Sequence, residues 1–346
     1  MTYLWLGADV CFNGSEPFSQ SLEILMSSTI RKPLSGLLAL AVIPFATFAA
    51  DERACNMRDA ALPTNSITYV LCEQGLLLVT NDEGATWAQR KIASPGALRA
   101  VAFLDVNRGA TVGDGGAILA TDDAGRTWKK RESGTTENLT DIQMVGEQGW
   151  IVGYDGVILH SADAGKTWSK QNSTVSLSLE CLYFLDAQNG WASGWSGTVL
   201  HTTDGGNKWQ VVKIPGAQWS LSSIAFPDAR NGWISGFAGQ LFHTRDGGAT
   251  WETRKTPVSG WLTSIGFDGA NHGWITTDDG FLMSQDGGET WKLQPTETQL
   301  FLNKVLRNTG TTWALGPFGM LKQTGVTQWK KIVNPLSSNA AAEEGK

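Results

Sequence analysis

Positive charge is in short supply in this chain: 27 Lys and Arg stand against 33 Asp and Glu, for a net charge of −6 over 346 residues. Proteins that neutralise nucleic-acid phosphates carry a basic excess, so nucleic acid is excluded as a partner. Long apolar runs are also missing. The run from Leu34 to Phe48 is interrupted by Pro44 and falls short of the ~20 residues a spanning helix needs, which excludes a transmembrane bundle. Proline is sparse at 11 residues while glycine reaches 40, so turns are made by the residue that tolerates positive φ. What is abundant is tryptophan, with 16 copies against 4 tyrosines, and 41% of the chain is hydrophobic. That is too apolar for a disordered chain. A turn-rich globule of many short elements is expected.

From Met26 the chain reads like a secretory signal: Arg31 and Lys32, the apolar stretch Leu34 to Phe48, then the small residues Thr47, Ala49 and Ala50. We assign 1–25 as a doubtful upstream extension, 26–50 as a signal peptide, 51–333 as the folded domain and 334–346 as a disordered tail. The product is expected to be exported, to the periplasm or to an internal lumen, and soluble after cleavage.

The segment TNDEGATW ending at Trp87 returns as TDDAGRTW (Trp128), SADAGKTW (Trp168), TTDGGNKW (Trp209), TRDGGATW (Trp251) and SQDGGETW (Trp291), with a worn copy at Trp329. The tryptophans are 41, 40, 41, 42, 40 and 38 residues apart. Between boxes, alternating runs and turns mark four short strands: Leu179 to Leu185, Gly190 to Gly194, Thr198 to Thr202 and Lys208 to Val212 in the clearest repeat. A four-stranded unit of ~40 residues cannot bury both faces alone and must pack on copies of itself. The sequence therefore predicts an all-β, seven-bladed propeller of four-stranded antiparallel blades.

The repeated octapeptide has a mechanical explanation. Its aspartate (Asp82, Asp123, Asp163, Asp204, Asp246, Asp286) accepts backbone N–H groups two residues on, a glycine takes positive φ, and the following Thr braces the turn. The terminal tryptophan is expected where outer strands of adjacent blades meet. Seven equivalent copies at seven rim positions speak for a structural role.

These octapeptides are the Asp-boxes of sialidases, sortilins and other propellers. The longer pattern F-x-D-x-x-x-G-W-x-x-G-x-x-G, clearest at Phe184–Trp209, Phe226–Trp251 and Phe267–Trp291, resembles the photosystem II stability and assembly factor family. The resemblance spans about 67–333. It implies a non-enzymatic, seven-bladed propeller that holds a protein of a membrane or envelope complex, with no cofactor.

A sialidase-like centre is not supported, since the mature chain has only Tyr69, Tyr154 and Tyr183 and lacks converging arginines. Asp141 and Glu180, on inner strands of neighbouring blades, are the one carboxylate pair suited to glycoside hydrolysis. His160, His201 and His243 occupy one repeat position in successive blades and point the same way round, so no metal site is expected. His272 is read as a solvated turn residue. Cys55 and Cys72 suit a disulfide within blade 1, and Cys181, aligned with Ala100, Ser223 and Ser264, a small buried thiol.

Loops between second and third strands share a face with the blade-to-blade loops, opposite the boxes. Tyr154, Trp195 and Phe237 fall at three consecutive tips on that face, and Trp219 and Trp261 precede inner strands beside them. This aromatic cluster is the candidate partner site, for a protein or, alternatively, a glycan. A monomer is expected.

Overall fold

The computed structural model describes residues 55–278, 280–294, 301–308, 311–317, 319–325 and 328–332. The proposed extension at 1–25, signal at 26–50 and tail at 334–346 lie outside them. Among the described residues there are 28 strands and no α-helix. They form seven four-stranded antiparallel sheets.

Each blade uses one continuous stretch of chain. Blade 1 runs from β1 (Met57–Ala61) to β4 (Ala88–Lys91), blade 2 from β5 (Leu98–Phe103) to β8 (Lys129–Arg131), and blade 3 from β9 (Leu139–Val145) to β12 (Ser169–Gln171). Blade 4 spans β13 (Leu179–Phe184) to β16 (Gln210–Val211), blade 5 β17 (Leu221–Ala225) to β20 (Glu252–Arg254), and blade 6 β21 (Leu262–Asp268) to β24 (Lys292–Gln294). Blade 7 spans β25 (Lys304–Asn308) to β28 (Trp329–Ile332). Inner strands neighbour one another in order, and β25 returns to β1. The outer strand of blade 4 is shorter than the sequence suggests, keeping only Gln210–Val211.

Aromatic rings cement one blade to the next. The tryptophan of each G-W pair lies in a second strand, where Trp150, Trp191 and Trp233 face His160, His201 and His243 across the sheet. Trp191 stacks on His201 at 4.6 Å and, on its other side, on Phe226 of the next blade at 4.0 Å. Trp150 stacks in the same way on Phe184 at 3.7 Å. The phenylalanine is then met edge-on by its own blade's box tryptophan, as in Phe184–Trp209 and Phe226–Trp251. The three histidines are thus one layer of this stack. His272, by contrast, opens a strand and is half-buried, not a solvated turn residue.

The glycines of the long pattern mark places where backbone and ring come too close for a side chain. A Cβ on Gly190 would run into the Phe184 ring, and one on Gly194 into the Ser178 carbonyl. The second glycine of the box lies against the tryptophan of the preceding blade: Gly248 on Trp191, Gly288 on Trp233 and, across the ring closure, Gly84 on Trp313.

Within the box, the aspartate reaches further than expected. Asp163 Oδ1 accepts the Thr167 N–H, four residues on, at 2.9 Å, and Oδ2 accepts the Thr167 hydroxyl at 2.7 Å. Ser161 Oγ donates to Oδ1 at 2.8 Å and accepts the Gly165 N–H at 2.9 Å. The two-residue reach anticipated from turn chemistry is taken by Ser161, whose Oγ accepts the Asp163 N–H. These donors, the Thr167 N–H foremost, hold the Asp163 carboxyl at about 2. Asp163 is half-buried. Asp163→Ala is expected to cost about 1–3 kcal/mol, and an unchanged urea midpoint would count against a structural role for the box.

Box tryptophans are graded in burial. Trp209, Trp251 and Trp291 are buried, whereas Trp87, Trp128, Trp168 and Trp329 are half-buried. Trp168 packs on a cluster built from blades 2 and 3.

Candidate functional site

The inner strands of blades 1–6 each carry a β-bulge at the same place. In β13, Leu179 pairs with Gly194 and Cys181 with Ser193, leaving Glu180 as the extra residue. The same shift singles out Arg58, Arg99, Thr140, Ser222 and Thr263. A bulge lets two successive side chains face one side of the sheet, here the propeller axis. Two residues from each blade therefore line a central cavity of about 150 Å³.

The upper ring of this cavity, at the start of each inner strand, is Arg58, Arg99, Thr140, Glu180, Ser222, Thr263 and Asn303. Its hydroxyls stitch blades together. Thr140 donates to the Leu179 carbonyl at 2.6 Å, Ser222 to Leu262 at 3.2 Å and Thr263 to Leu302 at 2.7 Å. Asn303 closes the circle by donating to the Met57 carbonyl at 3.0 Å. One residue further along each strand, Asp59 accepts the Val101 N–H, Asp141 the Leu182 N–H and Ser223 the Ile265 N–H, each from the next blade.

Lys304 completes the closure between blades 7 and 1. Its ammonium lies 3.0 Å from Asp59 Oδ1. Burial works against that charge, but Asp59 and then Asp141 outweigh it and raise the lysine pKa. Cys55 and Cys72 are joined in a disulfide, with Cα atoms 5.5 Å apart. Both lie in the core that blade 1 shares with Trp313, Leu315 and Met320 of blade 7.

Asp141 and Glu180 do meet in the cavity. Burial raises the Asp141 carboxyl to about 6, against the opposing pull of Lys304. Burial also raises Glu180, whose carboxylate accepts the Trp195 indole N–H at 2.6 Å. Cys181 is a free thiol that lines the same cavity and is only partly buried, not the buried thiol expected. Burial pushes its pKa up, so it is a poor nucleophile. No group of three or more His, Cys, Asp or Glu suited to a metal occurs among the described residues.

Asp141 gives the fold a measurable pH signature. A carboxyl whose folded pKa of about 6 lies above its ordinary 3.8 contributes stability that is present below about pH 4 and lost as pH rises through 6. His243 acts oppositely in an overlapping window, since burial lowers its folded pKa to about 4 and stability falls as pH drops from 6.5 toward 4. Subtraction isolates the first effect: Asp141→Asn should gain stability relative to the parent as pH rises from 4 to 7 in urea melts. A constant difference across that range would contradict the assignment.

The five aromatic candidates lie together on the face around the cavity mouth, but not equally open. Tyr154, Trp195 and Phe237 begin tight turns at 154–156, 195–197 and 237–239. Tyr154 and Trp195 are half-buried, with ring centres 6.4 Å apart, and Arg99 lies over Tyr154 at 5.6 Å. Trp219, Phe237 and Trp261 are 52%, 47% and 40% exposed. They form an edge-to-face row, 6.1 Å from Trp219 to Phe237 and 6.3 Å from Phe237 to Trp261. Trp261 donates its indole N–H to Ser222 Oγ at 2.8 Å, so Trp195 and Trp261 tie this aromatic face to adjacent members of the upper ring. The polar half of the site, set by the bulges, is invisible to strict alternation. Only the alignment of repeats exposes it.

Comparison with known proteins agrees with this architecture. Structures of similar fold include one titled "YCF48 bound to D1 peptide", 21% identical with a TM-score of 0.59 over 71% of this chain and 84% of that one. YCF48 from Cyanidioschyzon merolae is 20% identical with a TM-score of 0.57, covering 68% of this chain and 84% of the other. A GH74 enzyme from Niastella koreensis is 13% identical with a TM-score of 0.53, covering 80% and 65%. No curated protein sequence matches. Residues 94–181, 172–259 and 207–320 match the family described as photosynthesis system II assembly factor YCF48. With most of its blades covered by that match, the chain belongs to the YCF48 family of assembly-factor propellers.

Proposed function

We propose that this protein is a non-catalytic, exported scaffold that binds a protein segment of a membrane or envelope complex on its aromatic face. The observation that carries the reading is the open row Trp219–Phe237–Trp261. Three large rings exposed side by side, one at the blade 5 tip and two in the loops leading into the inner strands of blades 5 and 6, mark a contact surface. A relative by fold with a peptide of another protein bound to it supports a protein client. The blade 1 disulfide suits an oxidising compartment such as the periplasm. The Asp141–Glu180 pair serves the ring, in this reading, and performs no hydrolysis.

The test compares the parent with a Trp219→Ala/Trp261→Ala variant of equal melting temperature in affinity capture from envelope extracts of the native host. The variant should lose a defined membrane or periplasmic protein. Equal eluates would exclude this face, and binding on a glycan array that depends on the same two rings would favour a sugar ligand instead.

A further inference from the structure

The charges around the cavity do not balance. Arg58 is paired with Glu73, Arg99 with Asp114 and Lys304 with Asp59. Two carboxylates of the lining, Asp141 and Glu180, receive hydrogen bonds from neutral donors among the described residues, backbone N–H groups of Ile142 and Leu182 for the first and the Trp195 indole for the second, and Arg99 attracts Glu180 at longer range while making its ion pair with Asp114. Lys304 reaches Asp141 by longer-range attraction but makes its ion pair with Asp59. A third acceptor, Asn303 Oδ1, is buried in the lining without a donor. The mouth thus has acceptors and negative charge in excess, and each of its cations is already engaged.

From this imbalance, and resting on the reading that the aromatic face holds a protein segment, we propose that the cavity mouth receives a basic side chain, lysine or arginine, from the bound segment, with Glu180 as its counter-ion. The segment lies across Trp219, Phe237 and Trp261, and the basic side chain drops between Trp195 and Trp261 toward the axis. Both indoles are fixed there through their N–H groups to Glu180 and Ser222, neighbours in the ring. Aromatic walls around a carboxylate are a favourable setting for a cation, whose stem packs on the rings while its head meets the charge. The cavity volume of about 150 Å³ is that of engineered cavities that admit a benzene-sized ligand, room for one side-chain end and not for backbone. An acidic side chain finds no unpaired cation there.

The probe is a phage-displayed library of linear heptapeptides panned on the whole protein, followed by synthesis of the best binder with its basic residue kept or replaced by norleucine. Enriched sequences should carry a lysine or arginine beside apolar residues. Norleucine should weaken binding to the parent about tenfold or more, yet change binding to Glu180→Gln less than about twofold, because the counter-ion is already gone. The amide keeps an oxygen for the Trp195 N–H, and the norleucine arm leaves the protein untouched. Enriched peptides without a basic residue, or an equal norleucine penalty on both proteins, would overturn the basic-side-chain proposal while leaving the scaffold reading in place, provided that binding still falls in Trp219→Ala/Trp261→Ala. Peptides indifferent to that double change, or no enrichment, would overturn both.

Discussion

Lys304→Met should lower the stability of the propeller by about 3 kcal/mol at pH 7, the lower end of the ~3–5 range for removing one partner of a buried ion pair. The lower end applies because the lysine side chain is 31% exposed while Asp59 is only 6% exposed. Methionine keeps most of the stem's packing, so the loss reports on charge. Asp59 and Asp141, which repel each other, are left without the cation they share, and with Asp141 titrating near pH 6 the deficit should shrink when urea melts are repeated at pH 5. A deficit that is equal at both pH values would mean that packing, not charge, accounts for the loss. Because this pair joins blade 7 to blade 1 without a shared strand, amide exchange should also quicken first in β25 and β1.

The second large effect concerns the aromatic stack. Trp191→Ala removes a ring that is 2% exposed and sandwiched between His201 and Phe226, and should cost about 3–5 kcal/mol. Trp191→Phe restores a flat ring and should recover part of this. Trp219→Ala, at 52% exposure, should stay within about 0.5 kcal/mol of the parent, as surface changes do. The contrast separates two uses of one residue type. If Trp219→Ala proved as damaging as Trp191→Ala, the exposed row would belong to the core and not to a partner.

Much of this was legible from the chain because the repeat enforces it. Six clear boxes and one worn copy at a spacing near 40 gave the blade number, and the glycines and aromatics of the long pattern turned out to be places where Gly190 admits Phe184 and Gly248 admits Trp191. Reading the box aspartate by local turn chemistry gave too short a reach, since the preceding Ser161 competes for the nearer N–H. The channel was harder. Glu180 and Cys181 are adjacent, and an alternating strand would send them to opposite faces, but the bulge at Glu180 sends both to the axis. Asp141 and Glu180 were legible as carboxylates on inner strands of neighbouring blades, but not that they stand at different levels, Glu180 matching Thr140 and Asp141 matching Cys181. That Trp195 is half-buried and hydrogen-bonded to Glu180 while Trp219 stays open rests on a contact between a turn and a strand that no local pattern encodes.

The bulges have an evolutionary corollary. Four upper-ring residues give a hydrogen bond to the next blade, and three, Arg58, Arg99 and Glu180, make no such bond among the described residues. The three positions without such a bond are the letters the scaffold leaves free, and together the seven spell Arg, Arg, Thr, Glu, Ser, Thr, Asn. Among relatives, similarity of the boxes measures common descent of the frame. If a bound segment reaches the ring, as proposed above, two propellers with matching boxes but different words should differ in the peptides they select.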